Sequence, residues 1–147
     1  MYSKKKTSIS LNEINKLTNL NKNSDIGELV DNCLAKNIKR TNYLISENSF
    51  GSEDSIIIIR IFLSKTKRLL NLINDFSVQK NLDKTIASAK PPIFWKDKDI
   101  VKKQIKSWTL KQVEKLILEI NEIEFLIKTK NQNSMYILSD FILNKSK

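Results

Sequence analysis

The sequence predicts an all-α fold, a helical bundle of about seven to eight helices. Three observations carry that expectation. Apolar residues recur at spacings of three and four through most of the chain. Only two glycines and two prolines occur in 147 residues, too few for the tight turns of an all-β fold. Hydrophobic residues make up 40% and charged residues 29%, a balance that favours a packed core over disorder. A chain of this length buries about 68–70% of its unfolded surface, so neither a disulfide nor a metal is needed to hold it together.

The first signal is Ser10-Leu11-Asn12-Glu13, which has the form of a capping box: a hydroxyl at the N-cap and a carboxylate three residues on. Ile14, Leu17 and Leu20 extend it into a short helix. The polar stretch 19–24 reads as a connector and as the first boundary. A second helix is expected over about 25–36, with Ile26, Leu29, Val30, Cys33 and Leu34 on one face. A third follows over about 38–47, carrying Ile38, Tyr43, Leu44 and Ile45, so that the two form a hairpin turning near Asn37.

Phe50-Gly51-Ser52-Glu53-Asp54 reads as a turn, a cap and an acidic first turn, suited to the positive end of a helix dipole. The run Ile56-Ile57-Ile58-Ile59 taken alone suits a strand. The spacing beyond it decides for a helix over about 55–78. Ile59, Phe62, Leu63, Leu69, Leu70, Ile73 and Phe76 make its apolar stripe, and Arg60, Ser64, Lys67 and Asn71 its polar one.

A short helix near 82–88 leads to Lys90-Pro91-Pro92-Ile93-Phe94-Trp95-Lys96, which holds both prolines. Paired prolines end any helix arriving from the N-terminal side. Ile93, Phe94 and Trp95 are expected to plug the core there, making Pro91, Pro92, Phe94 and Trp95 a buried elbow between two helical layers. Asp97 or Asp99 then starts a helix carrying Ile100, Val101, Ile105 and Trp108.

Thr109 caps a helix over about 110–128 with one stripe of Val113, Leu116, Ile117, Ile120, Ile123 and Ile127. Leu118 and Phe125 form a second stripe, which predicts a central helix packed on two sides. Glu124 and Lys128 stand at i and i+4 in the favourable order. Residues 131–133 form a turn, and a last helix over about 134–144 buries Ile137, Leu138, Phe141 and Ile142.

The net charge of +10, from 26 Lys+Arg against 16 Asp+Glu, points to an anionic partner, either nucleic acid or an acidic protein face. Lys98, Lys102, Lys103 and Lys106 form the densest basic cluster; Arg60, Lys67 and Arg68 are further candidate contacts for DNA or an acidic partner. A solvated charged face is the default reading of both groups. Only three residues are arginine, the side chain that phosphate and base readers favour, and the abundance of Lys, Asn and Ile fits A/T-rich codons.

No chemistry announces itself. Histidine is absent, which removes the commonest general base and metal ligand. One cysteine builds neither a zinc site nor an intrachain disulfide; Cys33 reads as a small buried hydrophobe in a reducing compartment. No phosphate-cradling glycine motif occurs. The adjacent carboxylates at Glu53 and Asp54, and those at Asp97 and Asp99, are explained as helix-start capping. No apolar run approaches a membrane span, and the lysine-rich start lacks an apolar segment after it, so the expectation is a cytoplasmic protein without enzyme activity, cofactor, metal, membrane or small-molecule substrate.

Two strings carry a resemblance: Glu28-Leu29-Val30-Asp31-Asn32-Cys33-Leu34, and the proline segment 90–96. Gln104, Trp108 and Leu110 continue it into Glu122-Ile123-Glu124-Phe125-Leu126-Ile127-Lys128-Thr129. In their order and spacing these resemble the C-terminal part of the bacterial DNA polymerase III delta subunit, the clamp-loader wrench, and most of all its alphaproteobacterial members. The resemblance covers the chain from Leu11 on and is strongest from Lys90 to Thr129. It implies that residues 23–147 are the helical collar that packs against the collars of other clamp-loader subunits, and that 1–22 are the remnant of a preceding small helical domain. It also implies a fragment, or a start at an internal methionine, because the family's N-terminal clamp-opening domain is missing. Polymerase activity in that family belongs to other subunits, and delta hydrolyses no ATP. A scaffold in DNA replication is thus the leading expectation, with other loader subunits as partners and DNA phosphates as a further contact. A free-standing basic nucleic-acid-binding module is the alternative, and a toxin–antidote or phage helical protein a third.

Overall fold

The computed structural model describes residues 21–129 and 132–147. Among the described residues there are seven α-helices, two 3-10 turns and no strand, so the fold is an all-α bundle. Helix α1 spans 21–34, α2 Ile38–Glu47, α3 Ser55–Gln79, α4 Leu82–Ala87, α5 Lys98–Ser107, α6 Leu110–Thr129 and α7 Ser134–Lys145. The expected capping box at Ser10 lies outside the described residues. The polar stretch expected as a connector is helical from residue 21, so the boundary placed between 22 and 23 falls inside α1.

Helix α1 is the most enclosed element. Ile26, Leu29, Val30, Cys33 and Leu34 are all fully buried, because their spacing puts them on one face. Its side chains or carbonyls meet four other helices. Glu28 holds Arg40 of α2 at 2.6 Å, and Asp31 holds Lys65 of α3 at 3.0 Å. Gln104 of α5 donates to the Asp31 carbonyl at 2.9 Å, and the Cys33 thiol donates to the Ile142 carbonyl of α7 at 3.3 Å. The α1–α2 turn is a Schellman closure. Lys36 takes φ 60°, Asn37 N–H donates to the Asn32 carbonyl at 3.0 Å, and Lys36 N–H donates to that of Cys33 at 3.1 Å.

The isoleucine run is helical. The Asp54 carboxylate accepts from the Gly51 N–H at 2.8 Å and meets Lys22 at 3.1 Å, so its buried charge is matched on both oxygens at the start of α3. Helix α3 packs against α4, α5, α6 and α7. It buries Ile58, Ile59, Phe62, Leu69, Leu72 and Ile73, while Leu63, Leu70 and Phe76 of the expected stripe are half-buried against the core. Thr66 is buried as well, its hydroxyl donating to the Phe62 carbonyl at 2.7 Å. Helix α6 starts on a reciprocal cap: Gln112 N–H donates to Thr109 Oγ1 at 3.2 Å, and Thr109 N–H to Gln112 Oε1 at 3.0 Å. The Glu124–Lys128 pair forms at 3.7 Å.

Two packing expectations fail. At the proline elbow Ile93 is buried, but Phe94 and Trp95 are 59% and 69% exposed. Phe94 has extended backbone (φ −60°, ψ 138°), so successive side chains point to opposite sides: Ile93 enters the core and Phe94 leaves it. Trp95 then opens a 3-10 turn on the outside, with its ring 6.0 Å from that of Phe94. The aromatics that fill the core are Phe62 and Trp108. Pro91 and Pro92 are also exposed, with Ala89 and Ile93 anchoring the bend on either side.

Helix α6 is not packed on two sides either. Val113, Leu116, Ile120 and Ile127 are buried, yet Leu118 and Phe125 are 64% and 67% exposed. They lie about half a turn of the helical wheel from the buried stripe, and no described element covers them.

Candidate functional site

The seven basic candidates fall on separate surfaces. Lys98, Lys102 and Lys106 follow one another at intervals of four along α5 and share a face; Lys103 borders it on the Lys106 side. Lys102 reaches back to Asp83 of α4 at 2.9 Å. Hydrogen bonding within this pair, and then its charge attraction, raises the Lys102 pKa and lowers that of Asp83; the Lys106 charge also helps hold Asp83 low. The densest cluster in the sequence is therefore partly neutralised by its own neighbour. Lys103 lines a shallow hollow with Lys96, Asp99 and Ile100, facing the α1–α2 turn. Arg60 stands exposed on α3.

Lys67 and Arg68 lie elsewhere, in a cleft of about 500 Å³ between α3 and the proline elbow. Ser64, Asn71 and Asp75 of α3 share its wall, and Lys90 and Pro91 close the far side. The Arg68 guanidinium donates through Nη2 to the Pro91 carbonyl at 2.8 Å, which ties the elbow to α3. Lys90 carries no local signal of the cleft, since only the return of the chain to α3 brings it there. Lys65, on the same cleft, had a visible signal in the run Lys65-Thr66-Lys67-Arg68.

A third polar region joins α1, α3 and the start of α5. Asp31, Lys65, Lys96 and Asp97 share a hollow there, and the Asp31–Lys65 ion pair spans two of the helices. Burial pushes the Asp31 carboxyl above its ordinary value, Lys65 opposes that shift, and the Asp97 charge adds to it. Asp31 lies outside both the Glu53–Asp54 and Asp97–Asp99 pairs, and its ion pair with Lys65 makes it an interhelical strut.

Cys33 sits fully buried in the core, and burial pushes its thiol pKa up to about 12, leaving it protonated and inert at neutral pH. Among the described residues no group of His, Cys, Asp and Glu could hold a metal ion, and no buried side-chain polar atom lacks a partner. No helix among them is long and apolar enough to cross a membrane.

Two surfaces each set a pair of exposed large apolar side chains together, whereas Val78 and Tyr136 stand exposed on other helices. One is the outer face of α6, with Leu118 and Phe125. The other is the aromatic pair Phe94–Trp95, where Lys96 Nζ lies 5.5 Å from the Trp95 ring centre. No family model matches the chain, and no curated protein or solved structure matches it.

Proposed function

We propose that this chain is a non-catalytic helical scaffold that assembles with partner subunits, as the collar of the DNA polymerase III delta subunit does in a clamp loader. The observation that supports it is the outer face of α6. Leu118 and Phe125 are seven residues apart, on one line of a helix whose opposite line is core. Two large apolar side chains held in water add little to the fold of the isolated chain. Burying them against a partner would recover roughly 1.5–3 kcal/mol each. Glu114, Lys115 and Glu122 flank them, a mixed polar rim around an apolar centre. The order of motifs from Glu28 to Thr129 supplies the choice of clamp loader as the assembly.

Co-purification with clamp-loader subunits tests this. The wild-type chain should retain them at raised salt, because the contact is apolar, and Leu118→Ser/Phe125→Ser should lose them while keeping its helical content. Absence of any subunit from the wild-type complex, or equal retention by the variant, would sink the reading.

A second reading, a nucleic-acid-binding module, is favoured by Phe94 and Trp95. Exposed rings beside Lys96 and Lys98 offer stacking surfaces next to cations, the combination that holds unpaired bases. Affinity for a single-stranded oligonucleotide that falls steeply with salt and drops on Trp95→Ala would favour it over the scaffold.

A further inference from the structure

We propose that the cleft between α3 and the proline elbow binds a phosphate-bearing anion. Of the four cations that line it, only Lys65 is spent on a carboxylate among the described residues. Among the described residues the ion pairs involve Lys22, Arg40, Lys65, Lys102, Lys128 and Lys145; Lys67, Arg68 and Lys90 have no acidic partner within 4.0 Å. The three line one cleft. Arg68 is held by a neutral acceptor, the Pro91 carbonyl, so its position is fixed while its charge and remaining N–H donors stay available. Lys65, on the same wall, is already matched by Asp31.

Neutral donors sit among these charges. Ser64, Lys67, Arg68 and Asn71 follow at three, four and seven along one face of α3, so a hydroxyl and an amide flank the two cations. A single carboxylate would use few of these groups. A phosphate or diphosphate brings more charge and more acceptor oxygens, and a cleft of about 500 Å³ admits it with room for an attached group. Asp75 stands at the end of the same wall and repels an anion, which gives the cleft a direction.

Inorganic pyrophosphate, titrated into the full chain by calorimetry at low salt, tests the site. Lys67 and Lys90 are both exposed, so Lys67→Gln/Lys90→Gln should fold normally and weaken binding about tenfold or more, each lost contact contributing about 0.7 kcal/mol. Asp75→Asn should tighten it. Lys98→Gln/Lys106→Gln, of equal charge change but on α5, should leave it unaltered. A short oligothymidylate added in competition identifies the source: displacement of pyrophosphate assigns the phosphate to a nucleic-acid backbone, and its absence to a small molecule. No binding by the wild type, no weakening in the cleft variant, or equal weakening in the α5 variant would overturn the proposal. None of these results touches the α6 contact, which is read through Leu118 and Phe125.

Discussion

The indole N–H of Trp108 donates to the carbonyl oxygen of Leu34 at 2.7 Å, so a side chain from beyond α5 closes the end of α1. The last carbonyls of a helix have no partner within it. Here each finds one. The turn takes those of Asn32 and Cys33, Gln104 and Ala35 N–H share that of Asp31, and Trp108 takes that of Leu34. Lys36 then lies over the Trp108 ring, its Nζ 3.8 Å from the ring centre.

Trp108→Phe keeps most of the apolar volume but leaves the Leu34 carbonyl buried without a donor. It should destabilise the chain by about 1–3 kcal/mol. Gln104→Leu should cost less, about 0.5–1.5 kcal/mol, because the Asp31 carbonyl retains the Ala35 N–H at 3.0 Å. Urea unfolding of the two variants checks the order; an equal loss would mean that the indole contributes only packing.

Two helix ends carry lysine in the left-handed region, and they should answer differently to glycine. Lys80 closes α3 with φ 55° and is exposed. Lys80→Gly should therefore stabilise by about 1 kcal/mol. Lys36, at φ 60°, gains the same backbone relief but loses its place over Trp108, worth about 0.5–1 kcal/mol. Lys36→Gly should come out near zero. Thermal or urea midpoints compare them directly.

Most helices were legible because their signals are local. The limits of α2 match the periodicity, and Thr109 starts α6 as expected of a cap, with Gln112 completing a capping box that the structure adds. The four isoleucines were assigned to a helix from the spacing that follows them, since β-branched residues in a row otherwise favour a strand. What could not be read was which side of an apolar segment meets the protein. Leu118 and Phe125 carry the same hydrophobicity as Leu116 and Ile120, and only the placement of α3 decides between them. Phe94 and Trp95 failed for a related reason: one extended residue after the prolines sends neighbouring side chains to opposite sides. The cleft at Lys67 and Arg68 depends on Lys90, twenty-two residues beyond Arg68, returning to α3, which periodicity does not report.

Asp31 offers a pH-dependent test. Burial raises its folded pKa above 3.8 in spite of Lys65, so its ionised form is less favourable in the folded chain than in the unfolded one. Above the folded pKa its charge therefore subtracts from stability. As pH falls through the folded pKa and then 3.8, the penalty disappears. Asp31→Asn should accordingly be more stable than wild type at pH 7, with the difference shrinking on acidification. Lys65 is partly exposed and can turn to water when its partner is removed. Unfolding free energies of both proteins across that range decide it, and a variant less stable at pH 7 would show that the ion pair outweighs burial.

The two tryptophans divide between core and solvent, which makes the elbow observable by fluorescence. Trp108 is buried with its N–H bonded to a carbonyl, whereas Trp95 is 69% exposed beside Lys96. A charged quencher cannot reach the first ring and meets the second freely. Iodide should quench one component of the emission strongly and leave a blue-shifted remainder. Its attraction to the positive surface adds to the accessible part and weakens with salt. Trp95→Phe should remove the quenchable component and preserve the shifted one; Trp108→Phe should do the reverse. If Trp95→Phe left the quenching intact, Trp95 would have to lie against protein, and the base-stacking reading of the elbow would lose its footing.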